Sequence, residues 1–408
     1  MNYVGRKPAG GSRFRELVLC VATLVAVGCG GHVDLGRSAP SGSPEPVTNE
    51  RELAAQTENL VTVESTEMSS LAIDGDFLYF ISWVVDNSPK LWRCQKSNCS
   101  ATLSVVANPL SEAETELRLN ANRLGWQRLN YDGNTPGLDM CDVPDCQSRH
   151  SLTGANFVSW DESLAYGFND DYSSLYRCPL SGCSAGKTLL ASSLSGRPAD
   201  FSLFDGRLYW SIDEGIVRAS VDIPSPAERL SLGNVTEWTP ATSGQESPSD
   251  VSVLDMELDG PYVYAALRVG NQNANETLGC DACKAGIAVA RWQHSASGAT
   301  REWVLANDAD LAGLHHLRVF GGEMVWGTNT GDLWSCAADR CSTSKRQIGI
   351  EDASSHFGLV RAQMDYVAMD EQSIFWLSVP CWPRDFYCNP NPNARAVWTL
   401  KRTPRIPH

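Results

Sequence analysis

The stretch Leu71-Ala72-Ile73-Asp74-Gly75-Asp76-Phe77-Leu78-Tyr79-Phe80, with Leu91-Trp92-Arg93-Cys94 shortly after it, holds the pattern on which the fold reading turns. An apolar alternating run meets a tight Asp-Gly turn and returns as a second run rich in aromatic residues, which is how a β-hairpin is written. A third extended run then ends in a cysteine.

The unit returns six more times. The second copy has Leu117 to Asn120 before Leu124-Gly125-Trp126, then Leu138 to Cys141; the third has Trp160 to Tyr166, then Leu175-Tyr176-Arg177-Cys178. The fourth reads Asp205-Gly206-Arg207-Leu208-Tyr209-Trp210 and Ile216 to Ala219, the fifth Leu258 to Tyr264 and Val289 to Trp292. The sixth has Gly321 to Trp326 and Leu333 to Cys336, and the seventh Met369 to Trp376 followed by Val397-Trp398. The middles of the second strands fall at 79, 125, 165, 209, 264, 325 and 375, in steps of 46, 40, 44, 55, 61 and 50 residues. That period suits four strands per unit, and the fold read from it is all-β: a seven-bladed β-propeller of four-stranded blades. Strand alternation sends Trp126, Trp210, Trp326 and Trp376 into the cores between blades.

The last copy stops after its third strand, Trp398 to Lys401, one strand short. Leu60-Val61-Thr62-Val63 alternates properly ahead of the first unit, so this N-terminal segment is expected to supply the missing strand and close the ring. The repeat resembles that of propellers in secreted lipoproteins of delta-class proteobacteria, and more loosely TolB-like and sugar-quinone-type propellers. The resemblance runs from about residue 60 to the C-terminus and implies a fold, not an activity.

Ahead of the repeats, Arg6, Lys7, Arg13 and Arg15 precede an apolar run from Leu17 to Val27, too short to span a bilayer and suited to a signal-peptide core. It ends in Ala26-Val27-Gly28-Cys29, which resembles the bacterial lipobox and implies lipidation at Cys29. Ala26 stands where that motif usually has Leu, which leaves conventional signal-peptidase cleavage open. Residues 30–56 are rich in Ser, Pro, Gly and Glu, with too little apolar surface to order them, and read as a flexible tether. The organisation expected is therefore 1–29 signal peptide, 30–56 tether and 57–408 a single propeller. Gly30 differs from the Asp of inner-membrane retention signals, and by that resemblance the protein belongs to the outer membrane, periplasmic or surface-exposed.

Of the 14 cysteines, Cys20 and Cys29 lie in the leader, and the rest form close pairs. Cys94/Cys99, Cys141/Cys146, Cys178/Cys183 and Cys336/Cys341 share one spacing, bracketing the loop between third and fourth strands. They are expected to be cross-strand neighbours joined as disulfides in an oxidising compartment. Closing so short a loop adds about 2 kcal/mol at most, so the bridges stiffen hairpins without making the fold; unit four, with Ala219 in place of the first cysteine, dispenses with one. Cys280/Cys283 and Cys381/Cys388 precede third strands and read as loop staples. Cys280-Asp281-Ala282-Cys283 is also spaced as a redox or half-zinc motif, without a second half.

The net charge of −15 and the lack of Lys/Arg clusters after residue 15 exclude nucleic acid as a partner. Neither a Gly-x-Ser-x-Gly elbow nor a His-Glu-x-x-His helix is present. Gly186-Lys187-Thr188 ends like a phosphate loop, but Ser181 occupies the first glycine position. His315-His316 enters a first strand, with one ring expected toward the core and one toward the loops. Asn130 to Asn134 places oxygen side chains at alternate positions without the closing Glu of a calcium loop, and reads as a turn. No cofactor or metal is implied.

The two faces of such a ring differ here. The Cys hairpins are short, whereas the other face carries insertions at 233–250, 269–286 and 379–396. The last holds Trp382, Arg384, Phe386 and Tyr387 inside one cysteine loop; with Trp238 these are the residue types that anchor interfaces, and they form the expected ligand surface. The leading function is a lipid-anchored, monomeric binding or scaffold module for a protein or glycan, touching the membrane through its anchor alone. The alternative is a glycan lyase or hydrolase whose site gathers residues from several blades at the channel mouth.

Overall fold

The computed structural model describes residues 57–65, 67–83, 89–107, 113–128, 137–183, 186–196, 198–212, 215–230, 251–269, 286–294, 301–306, 308–311, 314–328, 332–350, 362–380 and 396–405. The leader and tether, 1–56, and the insertions at 231–250, 270–285 and 381–395 lie outside them.

Apart from β1 (Glu58–Ser65), the strands fall into blades in chain order. Blade 1 is β2 (Glu67–Asp74), β3 (Phe77–Trp83), β4 (Pro89–Gln95) and β5 (Ser104–Ala107); blade 2 is β6 (Ala113–Asn120), β7 (Arg123–Arg128), β8 (Gly137–Asp142) and β9 (Arg149–Thr153). Blade 3 is β10 (Asn156–Trp160), β11 (Leu164–Phe168), β12 (Ser174–Pro179) and β13 (Thr188–Ser192); blade 4 is β14 (Ala199–Phe204), β15 (Arg207–Ile212), β16 (Gly215–Ser220) and β17 (Glu228–Leu230). Blade 5 is β18 (Val251–Asp259), β19 (Tyr262–Val269), β20 (Gly286–Gln293) and β21 (Glu302–Ala306); blade 6 is β22 (Leu314–Phe320), β23 (Glu323–Thr328), β24 (Asp332–Ala337) and β25 (Arg346–Ile350). Blade 7 is β26 (Ala362–Met369), β27 (Ser373–Pro380), β28 (Ala396–Pro404) and, on its outer edge, β1. The fold is a seven-bladed β-propeller, each blade a four-stranded antiparallel sheet.

Ring closure follows the sequence expectation. β1 lies antiparallel on β28 with Val61 opposite Leu400 and Val63 opposite Trp398, so chain start and chain end share one sheet. Each seam between blades holds its own apolar cluster. Trp126 packs with Tyr79 and Leu91 between blades 1 and 2, and Trp160 with Leu138 and Met140 between 2 and 3. Trp210 packs with Tyr166 and Phe168, Trp292 with Tyr209 and Ile216, Trp326 with Tyr264 and Val289, and Trp376 with Val325 and Leu333. The closing seam joins Phe375, Trp398 and Leu400 of blade 7 to Leu78 and Phe80 of blade 1. Burying such side chains is the main favourable contribution, a few kcal/mol each.

A polar clasp repeats beside these clusters. The residue before the cysteine position of the third strand is Arg93, Arg177, Arg218, Arg291 or Arg402, lying opposite Tyr79, Tyr166, Tyr209, Tyr264 or Phe375 on the second strand. Each guanidinium reaches into the next blade and donates to a backbone carbonyl of its third-to-fourth connection. Arg93 reaches Pro144 at 2.6 Å, Arg177 Val221 at 2.7 Å, Arg402 Lys96 at 3.2 Å and Arg291 Ala338 at 3.5 Å, and Arg218 reaches His294. Blades 2 and 6 lack both partners, pairing Gly125 with Met140 and Val325 with Ser335. In blade 2 the reason is steric: a Cβ on Gly125 would sit 2.4 Å from the Trp160 indole of blade 3.

Four disulfides are formed, Cys94–Cys99, Cys141–Cys146, Cys178–Cys183 and Cys336–Cys341, with Cα separations of 4.7 to 4.9 Å. They are not cross-strand pairs as expected. The first cysteine closes the third strand, and the second sits in the connection, opening a single helical turn in α1 (Cys99–Thr102) and α2 (Cys341–Ser344). Five residues of separation are spent turning the chain before the fourth strand starts. Such bridges fit an oxidising, extracytoplasmic setting, and among the described residues no helix is long and apolar enough to cross a membrane.

A polar pair also rivets the closing seam, Lys96 of blade 1 meeting Asp370 of blade 7 at 2.6 Å, while Arg402 of β28 pairs with Glu58 of β1 within blade 7. Burial pushes the Asp370 carboxyl up, but the Lys96 ammonium and the Gln372 and Ser373 amides outweigh it and hold it below the usual carboxylate range. Stability from such a group is present above its unfolded pKa and is lost as pH falls through the folded one. Asp370→Asn should therefore cost about 1 kcal/mol at neutral pH, and the gap from wild type should close as pH falls toward 3 in thermal melts; a gap constant with pH would exclude the ionic seam. Deleting residues 57–66 should lower the melting temperature far more, since it exposes β28 and empties the closing cluster; an unchanged melt would refute closure by β1.

Candidate functional site

The residues singled out as a ligand surface, Trp238, Trp382, Arg384, Phe386 and Tyr387, lie outside the described residues, as do Cys29 and the pairs Cys280/Cys283 and Cys381/Cys388. Asn130 to Asn134 lies outside them too. Lys187 is no phosphate ligand by context: it lies 4.1 Å over the Tyr176 ring, donates to the Gly154 carbonyl, and leads into β13 instead of a helix. Among the described residues, no group of three or more His, Cys, Asp or Glu is placed to hold a metal ion.

The inner strands carry a feature that alternation did not foresee. All seven are bulged against their second strands, skipping one residue at Ser70, Val158, Asp200, Leu254, His316 and Tyr366, and more in β6. Ser70, Asp200, His316 and Tyr366 adopt positive φ there. Bulges add twist and re-aim side chains, as a strand on the crowded axis of a ring requires. The His316 ring, at the bulge, lies 4.5 Å from that of Tyr366 of the next blade, with the two planes tilted by 31°.

On the axis, β2, β6, β10, β14, β18, β22 and β26 enclose a channel cavity of about 450 Å³. Two guanidiniums cross its wall. Arg118 of blade 2 donates to Val158 and Phe201 carbonyls of blades 3 and 4, at 2.7 and 3.0 Å. Arg318 of blade 6 donates to the Val367 carbonyl of blade 7 at 3.0 Å, pairs with Glu257 of blade 5, and lies 3.7 Å from Asp255. Asp255 accepts the amides of Met256 and Leu317 at 2.8 and 2.7 Å. Burial, with Asp200 and Glu257 nearby, pushes the Asp255 carboxyl well up, and Arg318 opposes that only in part. These groups lace neighbouring blades together across the axis.

A larger recess, about 960 Å³, opens on the Cys-hairpin face between blades 5, 6 and 7. Its walls are first-to-second-strand turns and hairpin residues of blades 5 and 6, with Glu371 and Arg405 from blade 7. Asp259 in the blade 5 turn holds the blade 6 turn, its two oxygens accepting the Gly321 and Gly322 amides at 2.9 and 2.7 Å. Both glycines have positive φ, which only that residue adopts freely. Glu323 is buried and accepts from Arg405 at 2.7 Å, from Arg346 at 3.3 Å and from the Ser335 hydroxyl. Arg291 pairs with Glu302 at 2.8 Å while its guanidinium lies 4.5 Å over Tyr262; burial pushes the Tyr264 phenol up, and Arg291 opposes it in part. Phe320 is 40% exposed, with the Arg405 guanidinium 5.2 Å from its ring. None of this cluster was singled out in the sequence, because it is drawn from turns and single positions of three repeats.

No family model and no curated protein matches the chain. Solved structures match it at low identity. The computationally designed Ika8 protein is 10% identical with a TM-score of 0.46, covering 84% of this chain and 99% of its own. YCF48 from Cyanidioschyzon merolae is 8% identical with a TM-score of 0.49, covering 85% and 98%. The β-propeller domain of the Trilobed protease from Pyrococcus furiosus is 10% identical with a TM-score of 0.49, covering 83% and 97%.

If Arg318 laces the axis, Arg318→Met should leave Asp255 and Glu257 without their countercharge and cost about 2–3 kcal/mol in denaturant unfolding. A loss below about 0.5 kcal/mol, ordinary for an exposed site, would show that the channel wall bears no such role.

Proposed function

We propose that this protein is an exported binding module, carried to the outer membrane by residues 1–29, anchored through a lipid on Cys29 and held off the surface by residues 30–56. The four hairpin disulfides support export. The observation that carries the binding reading is the recess between blades 5, 6 and 7: about 960 Å³, near the upper end for ligand cavities, with an exposed Phe320 ring among polar groups already fixed by one another. Such a wall needs little ordering when a ligand arrives. The opposite face, with Trp238 and the Cys381–Cys388 loop, is a second proposed surface. The protein is taken to act as a monomer on a glycan or protein, with no cofactor and no nucleic acid.

A catalytic reading has one observation in its favour. The raised Asp255 carboxyl, near Asp200 and Glu257, is the kind of group that general acid chemistry employs in a glycan lyase or hydrolase. Turnover of a glycan that Asp255→Asn abolishes in a folded protein would establish it.

Two measurements test the main reading. In cell fractionation the wild type should partition with membranes and Cys29→Ser should not; unaltered partition would remove the lipid anchor. In a screen of immobilised protein against peptides and glycans, Phe320→Ala should weaken the ligand found by about tenfold and Trp382→Ala with Tyr387→Ala should not. The reverse pattern would move recognition to the insertion face, and the lack of any ligand in both libraries would overturn the binding module.

A further inference from the structure

The recess lies where the ring's own repeat is incomplete. In the other seams that carry it, the third-strand arginine reaches its carbonyl at up to 3.2 Å, but Arg291 stands 3.5 Å from Ala338, and blade 6 has Ser335 at the arginine position and sends no such guanidinium toward blade 7.

The buried and half-buried charges in this wall are already matched, while Asp339, Arg340 and Glu371, which also line it, are exposed and of both signs. Arg291 has Glu302, Arg405 has Glu323, and the Asp259 carboxylate is committed to two backbone amides. An anionic ligand would be desolvated without gaining a countercharge from the matched groups, and a cationic one likewise; the exposed Asp339, Arg340 and Glu371 set no single sign of charge and are open to solvent screening. What the wall offers is planar hydrogen-bonding groups in fixed orientations, beside the half-open ring of Phe320 and the Tyr262 ring braced under Arg291. Hydroxyl groups can both donate to carboxylate and carbonyl oxygens and accept from guanidinium and phenol, and the C–H face of a sugar ring covers an aromatic face.

On this ground, and resting on the binding reading above, we propose that the recess between blades 5, 6 and 7 binds a neutral oligosaccharide. Phe320 and Tyr262 serve as its flat platforms, and Arg291, Arg405 and Asp259 orient its hydroxyls.

The test is calorimetric titration of the full-length protein with neutral oligosaccharides (β-glucan, α-glucan and N-acetylglucosamine chains), with uronate- and sulfate-bearing chains, and with mixed peptides. A neutral chain should bind, with an affinity insensitive to added salt, and Phe320→Ala and Tyr262→Ala should each weaken it about tenfold. Thermal melts report whether each variant is folded; Phe320→Leu, which keeps apolar bulk but removes the flat ring, replaces Phe320→Ala if that protein unfolds. Neutral-sugar binding untouched by these variants would overturn the site. Salt-sensitive binding of an acidic chain or peptide that depends on Phe320 would overturn the neutral ligand while leaving the binding module standing. Failure of all three ligand classes would remove both.

Discussion

Each sheet of a propeller is stable only against its neighbours, so the ring depends on its weakest seam. Here that is the junction of blades 7 and 1, where the chain ties the two blades only through β1, which continues into β2 and is held in blade 7 by its pairing with β28. The chain meets this constraint by sharing a sheet between its two ends. β1 pairs along β28, and Leu60 reaches the cluster formed by Phe375, Trp398 and Phe80. Opening the seam then requires breaking a strand pairing and a core at once. Lys96–Asp370 and Arg402–Glu58 add geometry more than energy, since ion pairs of this exposure contribute little.

Five of the seven seams, the closing one included, share a device that gives the Cys hairpins a second meaning. A bridge across so short a loop removes little entropy from the unfolded chain, so its value must lie in the folded state. The arginine clasp offers such a value for three of the four bridges: the carbonyls of Pro144, Lys96 and Ala338 belong to disulfide-closed connections, and each receives a guanidinium from the preceding blade. A loop held in shape presents its carbonyl without further ordering. Blade 4 has no disulfide, yet Val221 and Asp222 still receive Arg177, so the clasp forms without a bridge as well.

The repeat, the count of blades and the closing strand were legible because each depends on local alternation and turn chemistry, written afresh in every copy. The four cysteine pairs were legible as partners from spacing alone, although their cross-strand geometry was not, since a helical turn intervenes at Cys99 and Cys341. The inner-strand bulges were hidden because a single skipped residue, such as Ser70 or His316, leaves the apolar pattern on either side intact. The recess was hidden for a different reason. Its members, Asp259, Phe320, Glu323 and Arg405, are scattered over three repeats, and they meet only because the ring sets a turn, a strand start and a chain end side by side.

Departures from the repeat are therefore where function can be sought. Blade 2 loses its arginine and tyrosine to a bulky neighbour, Trp160, and the seam stays filled. In blade 6 the same two positions are Val325 and Ser335, and the polar link is reversed: blade 6 supplies a buried carboxylate, Glu323, and the guanidinium of Arg405 comes to it from the end of blade 7. Arg405 also donates to the Asp370 and Phe320 carbonyls, so the residue that bounds the recess ties the last blade to the sixth. A carboxylate with 1% exposure is costly to maintain unless matched, and a filled apolar seam would be simpler. Blade 6 keeps the costlier arrangement beside the recess between blades 5, 6 and 7, and that is the physical ground for placing recognition there.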